Sequence, residues 1–355
     1  MSRYNINGYP WSSGIGLNVE DCHTAREVME KAKLDFVVEK CDLYAQMPFN
    51  LNNKVLYDEK KGEFAYAGEI YRPCPNGYAT YRTDLNIPLG VVKSKYEVVQ
   101  NMDAFNFFDD AIGPDKAIWQ TAGQFGYGER IFISAKLPIT TEVKGDPIEH
   151  YLVFSNSHDG SSSVNIMFTP IRVFCTNCLN AALRNADSYI RLRHTKSVSE
   201  RLQSGAEILR IACEYAKESK QLYEALTTIS MSDDAVMKYI ANLNLNDKEI
   251  DALMQFDSKY GYRKLFAKDY HTLERTGIST RKTNQIVNMF EYYLDGIGQK
   301  EIAGTAWGAY NAITGFYSNV ANLTGAKRMD SLLYGGAGSA MSRALNYAYE
   351  MLDAA

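Results

Sequence analysis

Long apolar runs are missing from this chain. No stretch approaches the roughly 18 consecutive apolar residues that a membrane span requires. The opening residues, MSRYNINGYPW, hold no apolar core of a secretory signal, so the expected location is the cytoplasm. Cysteine is scarce, with six in all, and only Cys175 and Cys178 form a C-x-x-C pair. No second pair completes a zinc site. Beside Phe174 and Leu179, the pair reads as small buried apolar residues in a reducing compartment, a redox pair being the alternative. The five histidines show no metal-ligand spacing. Signature sequences of enzymes are lacking too: there is no G-x-S-x-G, H-E-x-x-H, Walker or kinase set. Asp109-Asp110 and Asp233-Asp234 fit helix caps and surface charge better than an acid/base pair. The sequence therefore assigns no catalytic residue, metal or cofactor. Internal repeats and low-complexity linkers are also absent.

What is present is an ordinary globular composition. Of 355 residues, 46% are hydrophobic and 23% charged, which excludes global disorder and leaves room for two domains or one large one. Tyrosine stands out at 25. It offers a flat apolar face with a polar tip, suited to half-buried positions and to surfaces that stack or bind.

Apolar periodicity divides the chain. A short helix is expected over 25–33, and strands over 35–39 and 64–71. Val98, Met102, Phe105 and Ile112 lie on one helical face, with Asn101 as N-cap. Glu129–Leu137 alternates as a strand, with Ile131, Ile133, Ala135 and Leu137 on one face. His150–Asn156 and Ser163–Thr169 are two more, and Pro170 ends the third or marks its edge. A helix should begin near Thr176. Beyond it the chain is expected to be all-helical, with an S-x-x-E capping box at Ser197–Glu200 and helices near 198–226, 233–242, 247–256, 280–294, 305–320 and 339–352. The expected fold class is α+β: an antiparallel β-sheet core flanked by helices over 1–195, then a helical region over 196–355.

Local charge gives the main functional signal, because the net charge is only −4. Between Pro170 and Gln203, the six cations Arg172, Arg184, Arg191, Arg193, Lys196 and Arg201 face two acids. Between Lys259 and Lys282, seven cations face two acids. Arg263, Lys264 and Lys268 are among those seven, and Tyr260, Tyr262, Phe266 and Tyr270 interleave with them. Phosphates need cations and unpaired bases need flat π-faces, so a basic groove with aromatic residues suits single-stranded nucleic acid. A solvated helix face with local ion pairs is the alternative. The loop Asn156–Ser161 carries His158 and Asp159, which fit a hairpin turn or contact loop better than a catalytic pair. Gly123–Gly128 precedes a strand rather than a helix and is expected to be a turn or loop, not a dinucleotide site. Gly335–Ser339 opens a helix without the Lys-Ser/Thr of a P-loop and is expected to be a chain reversal.

Several segments resemble one family together. They include Tyr81-Arg82-Thr83-Asp84 with Leu89–Val92, Asn156–Ser161, Thr169–Val173 with Cys175-Thr176-Asn177, Arg193-His194-Thr195 and Thr305–Ala312. In this order they resemble the phage/plasmid-like protein family, catalogued as domain of unknown function nine-three-two, over nearly the whole chain. Cys178 departs from the Thr expected there. The resemblance implies a phage or plasmid setting in a host-cell cytoplasm and supplies no reaction. The order helix, three strands, helix is also similar to single-strand annealing proteins such as Redβ and Erf, which carry single-stranded DNA on oligomers. Together these give the expected function: binding or annealing of single-stranded DNA in recombination or replication, by a homo-oligomer without catalysis. The alternative is a factor that binds host or phage proteins.

Overall fold

Alternating apolar residues at 131, 133, 135 and 137 can be buried only by a sheet with one apolar face inward. A computed structural model, which describes residues 11, 16–47, 59–66, 69–105, 118–172, 189–195, 205–268, 273 and 276–353, shows that sheet. Its six strands are β1 (Gly16–Asn18), β6 (Ile118–Phe125), β7 (Arg130–Val143), β8 (Asp146–Ser157), β9 (Val164–Arg172) and β10 (Tyr189–Leu192), in that spatial order. Every neighbouring pair is antiparallel. A smaller antiparallel sheet is built on β4 (Glu69–Arg82). It carries β2 (Val38–Met47) on one edge, and β3 (Phe64–Tyr66) and β5 (Ile87–Lys93) on the other. α1 (Ala25–Ala32) follows β1, with the Thr24 side chain accepting from the Glu27 amide as N-cap.

Helices follow: α2 (Gly205–Leu226), α3 (Asp233–Asn244), α4 (Asp247–Tyr260), α5 (Tyr262–Lys268), α6 (Thr280–Asp295), α7 (Ala306–Gly315), α8 (Gly325–Leu333) and α9 (Gly336–Asp353). The fold is thus α+β, with a helical C-terminal region. α7 is buried on all sides, as a helix apolar all round must be. It packs against α2, α3, α6 and α9.

Both faces of the large sheet are covered. Ile131, Ile133, Leu152, Phe154, Ile166 and Phe168 face one core, which also takes Tyr215 of α2. Phe132, Tyr151, Val153 and Met167 face a second core closed by Trp11 and by Met329 and Leu333 of α8. The second face is therefore apolar along its middle as well. The first core runs without interruption from Val19 to Ala348, across residue 195.

Other differences have local causes. Residues 101–105 are helical, but Met102 is exposed while Ala104 and Phe105 are buried. Asn101 does not cap the helix. Its side-chain amide donates to the Leu34 carbonyl at 2.9 Å, and its Oδ1 pairs with His158 at 2.8 Å. Phe64–Tyr71 is two strands, β3 and the start of β4. β9 continues through Pro170 to Arg172, and among the described residues β10 pairs with residues 164–167 and not with Pro170. The glycine-rich stretch after Ala122 ends β6 and turns into β7. Gly335 lies in the short link between α8 and α9. The Cys175–Cys178 pair, the helix near Thr176 and the capping box at 197–200 lie outside the described residues.

Candidate nucleic-acid interface

The loop between β8 and β9 is held in one shape by its own polar side chains. The Asp159 carboxylate accepts from the Ser157 hydroxyl (2.6 Å) and the Ser161 amide (2.9 Å), an Asx turn. The Ser157 hydroxyl in turn accepts from the Ser162 amide at 3.1 Å. From outside, Thr80 of β4 donates to the His158 carbonyl (2.6 Å) and the Tyr96 hydroxyl donates to the Ser157 carbonyl (2.6 Å). The loop presses on β5 so closely that a Cβ on Gly90 would stand 2.5 Å from the Asp159 backbone. Gly160 has φ +75°, and its added Cβ would meet Val92 at 2.9 Å. A side chain at either position would push the loop off β5.

His158 itself is fully buried. Burial pushes its imidazole pKa down to about 3, so the ring is neutral. It bonds Asn101 through Nε2, while Nδ1 is buried without a partner. A contact role for His158 is therefore excluded: its ring ties β8 to the helical turn at 101–105. Asp159 shapes the loop rather than reaching outward.

In front of this loop lies a cleft of about 650 Å³. Four cations line it: Lys93, Lys95, Arg191 and Arg193. All four are exposed, and among the described residues no Asp or Glu lines the cleft. The strand period explains the arginines. Ile190 and Leu192 of β10 pack into the first core, so Arg191, between them, and Arg193 take the opposite side. Lys93 ends β5, and a turn closed by the Tyr96 amide on the Lys93 carbonyl (3.0 Å) carries Lys95. The two walls are joined at their base. His194 stacks on Tyr96 at 4.5 Å, and its Nδ1 donates to the Glu97 carbonyl at 3.1 Å.

The remaining predicted residues are elsewhere. Arg172 is 1% exposed and cannot hold a phosphate. It pairs with Asp146, and donates to Asn311 of α7 (3.0 Å) and to the Gly298 carbonyl (3.1 Å). Burial raises the Asp146 pKa even though Arg172 opposes it. Tyr262 is fully buried, which excludes stacking on a base. Its ring lies under the Lys238 ammonium at 5.4 Å. Arg263 pairs with Asp233 at 2.8 Å and Lys282 with Glu249 at 2.6 Å. Lys264 is exposed on α5, which packs against α3, α4 and α6. None of the described residues of this second cluster lines the cleft. Arg184, Lys196 and the Lys268 side chain lie outside the described residues. Among the described residues of the two predicted basic segments, only Arg191 and Arg193 line the cleft.

Lys93 and Lys95 carry no comparable signal in the sequence. Two lysines around one serine make no unusual charge run, and the contacts of His194 with Tyr96 and Glu97 bring them opposite the arginines. Among the described residues no group of His, Cys, Asp and Glu could hold a metal ion, and no helix is long and apolar enough to cross a membrane.

Residues 88–344 match the family described as Domain of unknown function (DUF932). That span is narrower than the near-complete resemblance read from the sequence, but it contains all four cleft cations and the 157–163 loop. Neither the curated proteins nor the solved structures include a match to this chain.

Proposed function

The chain belongs to the DUF932 family, which has no assigned activity, and we propose that it is a phage or plasmid protein that binds single-stranded DNA in the cleft. The observation that carries this reading is the meeting of Lys93, Lys95, Arg191 and Arg193 around a pinned loop, with no carboxylate lining the cleft among the described residues. Four positive charges around one space attract anions, and a polyphosphate backbone supplies several along one line. Annealing or protecting strands requires neutralisation and alignment, which these residues supply without catalysis or cofactor. A homo-oligomer would extend the track along a strand.

Fluorescence anisotropy with a labelled 30-nucleotide oligo-dT tests the proposal. With up to four phosphate contacts, the slope of log K against log salt is expected to be about −3. Affinity should then fall by about fifty-fold between 50 and 200 mM NaCl. Lys95→Glu with Arg193→Glu should abolish binding at 50 mM. No binding by the unaltered protein at 50 mM NaCl would refute the proposal.

One observation favours a second reading, a protein-interaction factor. Tyr44, Phe64 and Tyr66 are exposed on the small sheet, and Phe64 contacts Tyr44 and Tyr71 with ring centroids 5.1 Å apart in each case. All four residues lie outside the family match. Capture of one host protein that survives nuclease treatment and is lost in Phe64→Ser would support that reading.

A further inference from the structure

Behind the cleft lies a smaller cavity of about 250 Å³, and Ser161, Ser162 and Arg191 line both. The two spaces adjoin across the tip of the pinned loop. The inner one forms where the second face of the sheet changes character. Along β8 and β9 the bulky Val153 and Met167 oppose each other, and the next pair on that face is Ser155 and Asn165. The small side chains leave a hollow beneath Met329 and Tyr334, at the end of α8.

The chemistry of the inner cavity differs from that of the cleft. Phe125 and Tyr334 supply aromatic surface, and Ser155, Ser162 and Asn165 supply short neutral polar groups. Arg130, also in the wall, is held by Asp330 through two bonds of 2.9 and 2.6 Å, and it lies over Phe125 at 4.5 Å. A phosphate entering here would meet the Asp330 carboxylate and a guanidinium already engaged. The Asn165 amide donates to the Ser162 hydroxyl at 2.9 Å and to the Ser155 hydroxyl at 3.4 Å, so this wall is a hydrogen-bonded polar surface, which a purely aliphatic group would remove from water without offering it a polar partner. A flat heterocycle with donors and acceptors on its edge suits both kinds of wall. The volume lies below the roughly 300–1,000 Å³ of sites for drug-sized ligands, so it suits one ring system.

We propose that this inner cavity receives one unpaired nucleobase of the strand whose phosphates occupy the cleft, with Ser161, Ser162 and Arg191 as its threshold. The inference rests on the nucleic-acid reading above. A free mononucleotide presents the same base and phosphate, so the test must separate the two sources.

Three ligands do so: a 30-nucleotide oligo-dT, an abasic 30-mer with the same phosphates, and dTMP alone. The unaltered protein should bind the base-bearing strand about ten-fold or more tightly than the abasic one, and should bind dTMP far more weakly than either. Ser155→Leu, which fills the hollow, should bring oligo-dT down to the abasic affinity and leave abasic binding unchanged. Where its melting curve shows misfolding, Tyr334→Ser on the opposite wall should do the same. Equal binding of the two strands by the unaltered protein overturns the base pocket and leaves the cleft reading intact. Failure of both strands to bind at 50 mM NaCl overturns both. Tight dTMP binding without a preference between strands assigns the cavity to a free nucleotide and overturns the proposal as stated.

Discussion

Acidification should destabilise this protein before its carboxylates titrate. His158 and His150 are buried and held neutral, with pKa values pushed down by burial to about 3 and about 4. In the unfolded chain an imidazole titrates near 6.5. The folded values lie below that, so the unfolded state takes up the protons first. The stability contribution is complete above pH 6.5 and is lost as the pH falls from there towards the folded values. At pH 5.0 each ring favours unfolding by about 2 kcal/mol, 1.5 pH units at 1.36 kcal/mol each. The two together remove about 4 kcal/mol, a large fraction of an ordinary domain stability of about 5–15 kcal/mol. His194, also lowered by burial, acts in the same direction. Urea unfolding at pH 7.5 and pH 5.0 measures the loss. In His158→Gln, which keeps a donor for Asn101, the difference between the two pH values should shrink by about 2 kcal/mol. A loss under about 1 kcal/mol in the unaltered protein, or an unchanged difference in His158→Gln, would show that the buried-imidazole argument is wrong.

Other outcomes follow from the same contacts. Arg172→Ala leaves Asp146 charged and unpaired in the interior and should cost about 3–5 kcal/mol in urea unfolding; Arg172→Met with Asp146→Leu should recover much of that. Gly90→Ala should displace the 157–163 loop and weaken oligo-dT binding while leaving the far-UV circular dichroism unchanged. Arg263→Ala, at an exposed ion pair with Asp233, should change stability by less than about 1 kcal/mol and oligo-dT affinity by less than two-fold. Light scattering after size exclusion should show assemblies that grow when oligo-dT is added; a monomer in both conditions would remove oligomerisation from the proposal.

Much of the architecture was legible because it depends on period. The alternation at Ile131, Ile133, Ala135 and Leu137 marked a strand with an inward face, and α3, α6 and α9 followed from helical spacing. The second face was not legible, because Phe132 and Val153 are covered by α8, which lies about 170 residues or more further along the chain. Arg191 and Arg193 were found by local charge density alone; the chain beyond Thr176 was expected to be helical, and the strand β10 that carries Arg191 corrects that expectation. Arg172 was misread by the same local count: charge density along the sequence does not show that Asp146 and Asn311 are waiting inside. The S-H-D-G-S segment was recognised as a turn, but only the contact with β5 shows why both Gly90 and Gly160 are needed.

The stacked pair Tyr96 and His194 has one more consequence. It links the lysine-bearing side of the cleft to the arginine-bearing side, so the positive charges are kept at a set separation before any ligand arrives. An arriving anion would find its receptor already assembled and would lose little affinity to ordering protein segments. Loosening that joint, for example with His194→Ala, should let the like charges drift apart and make binding both weaker and more dependent on the flexibility of the incoming chain.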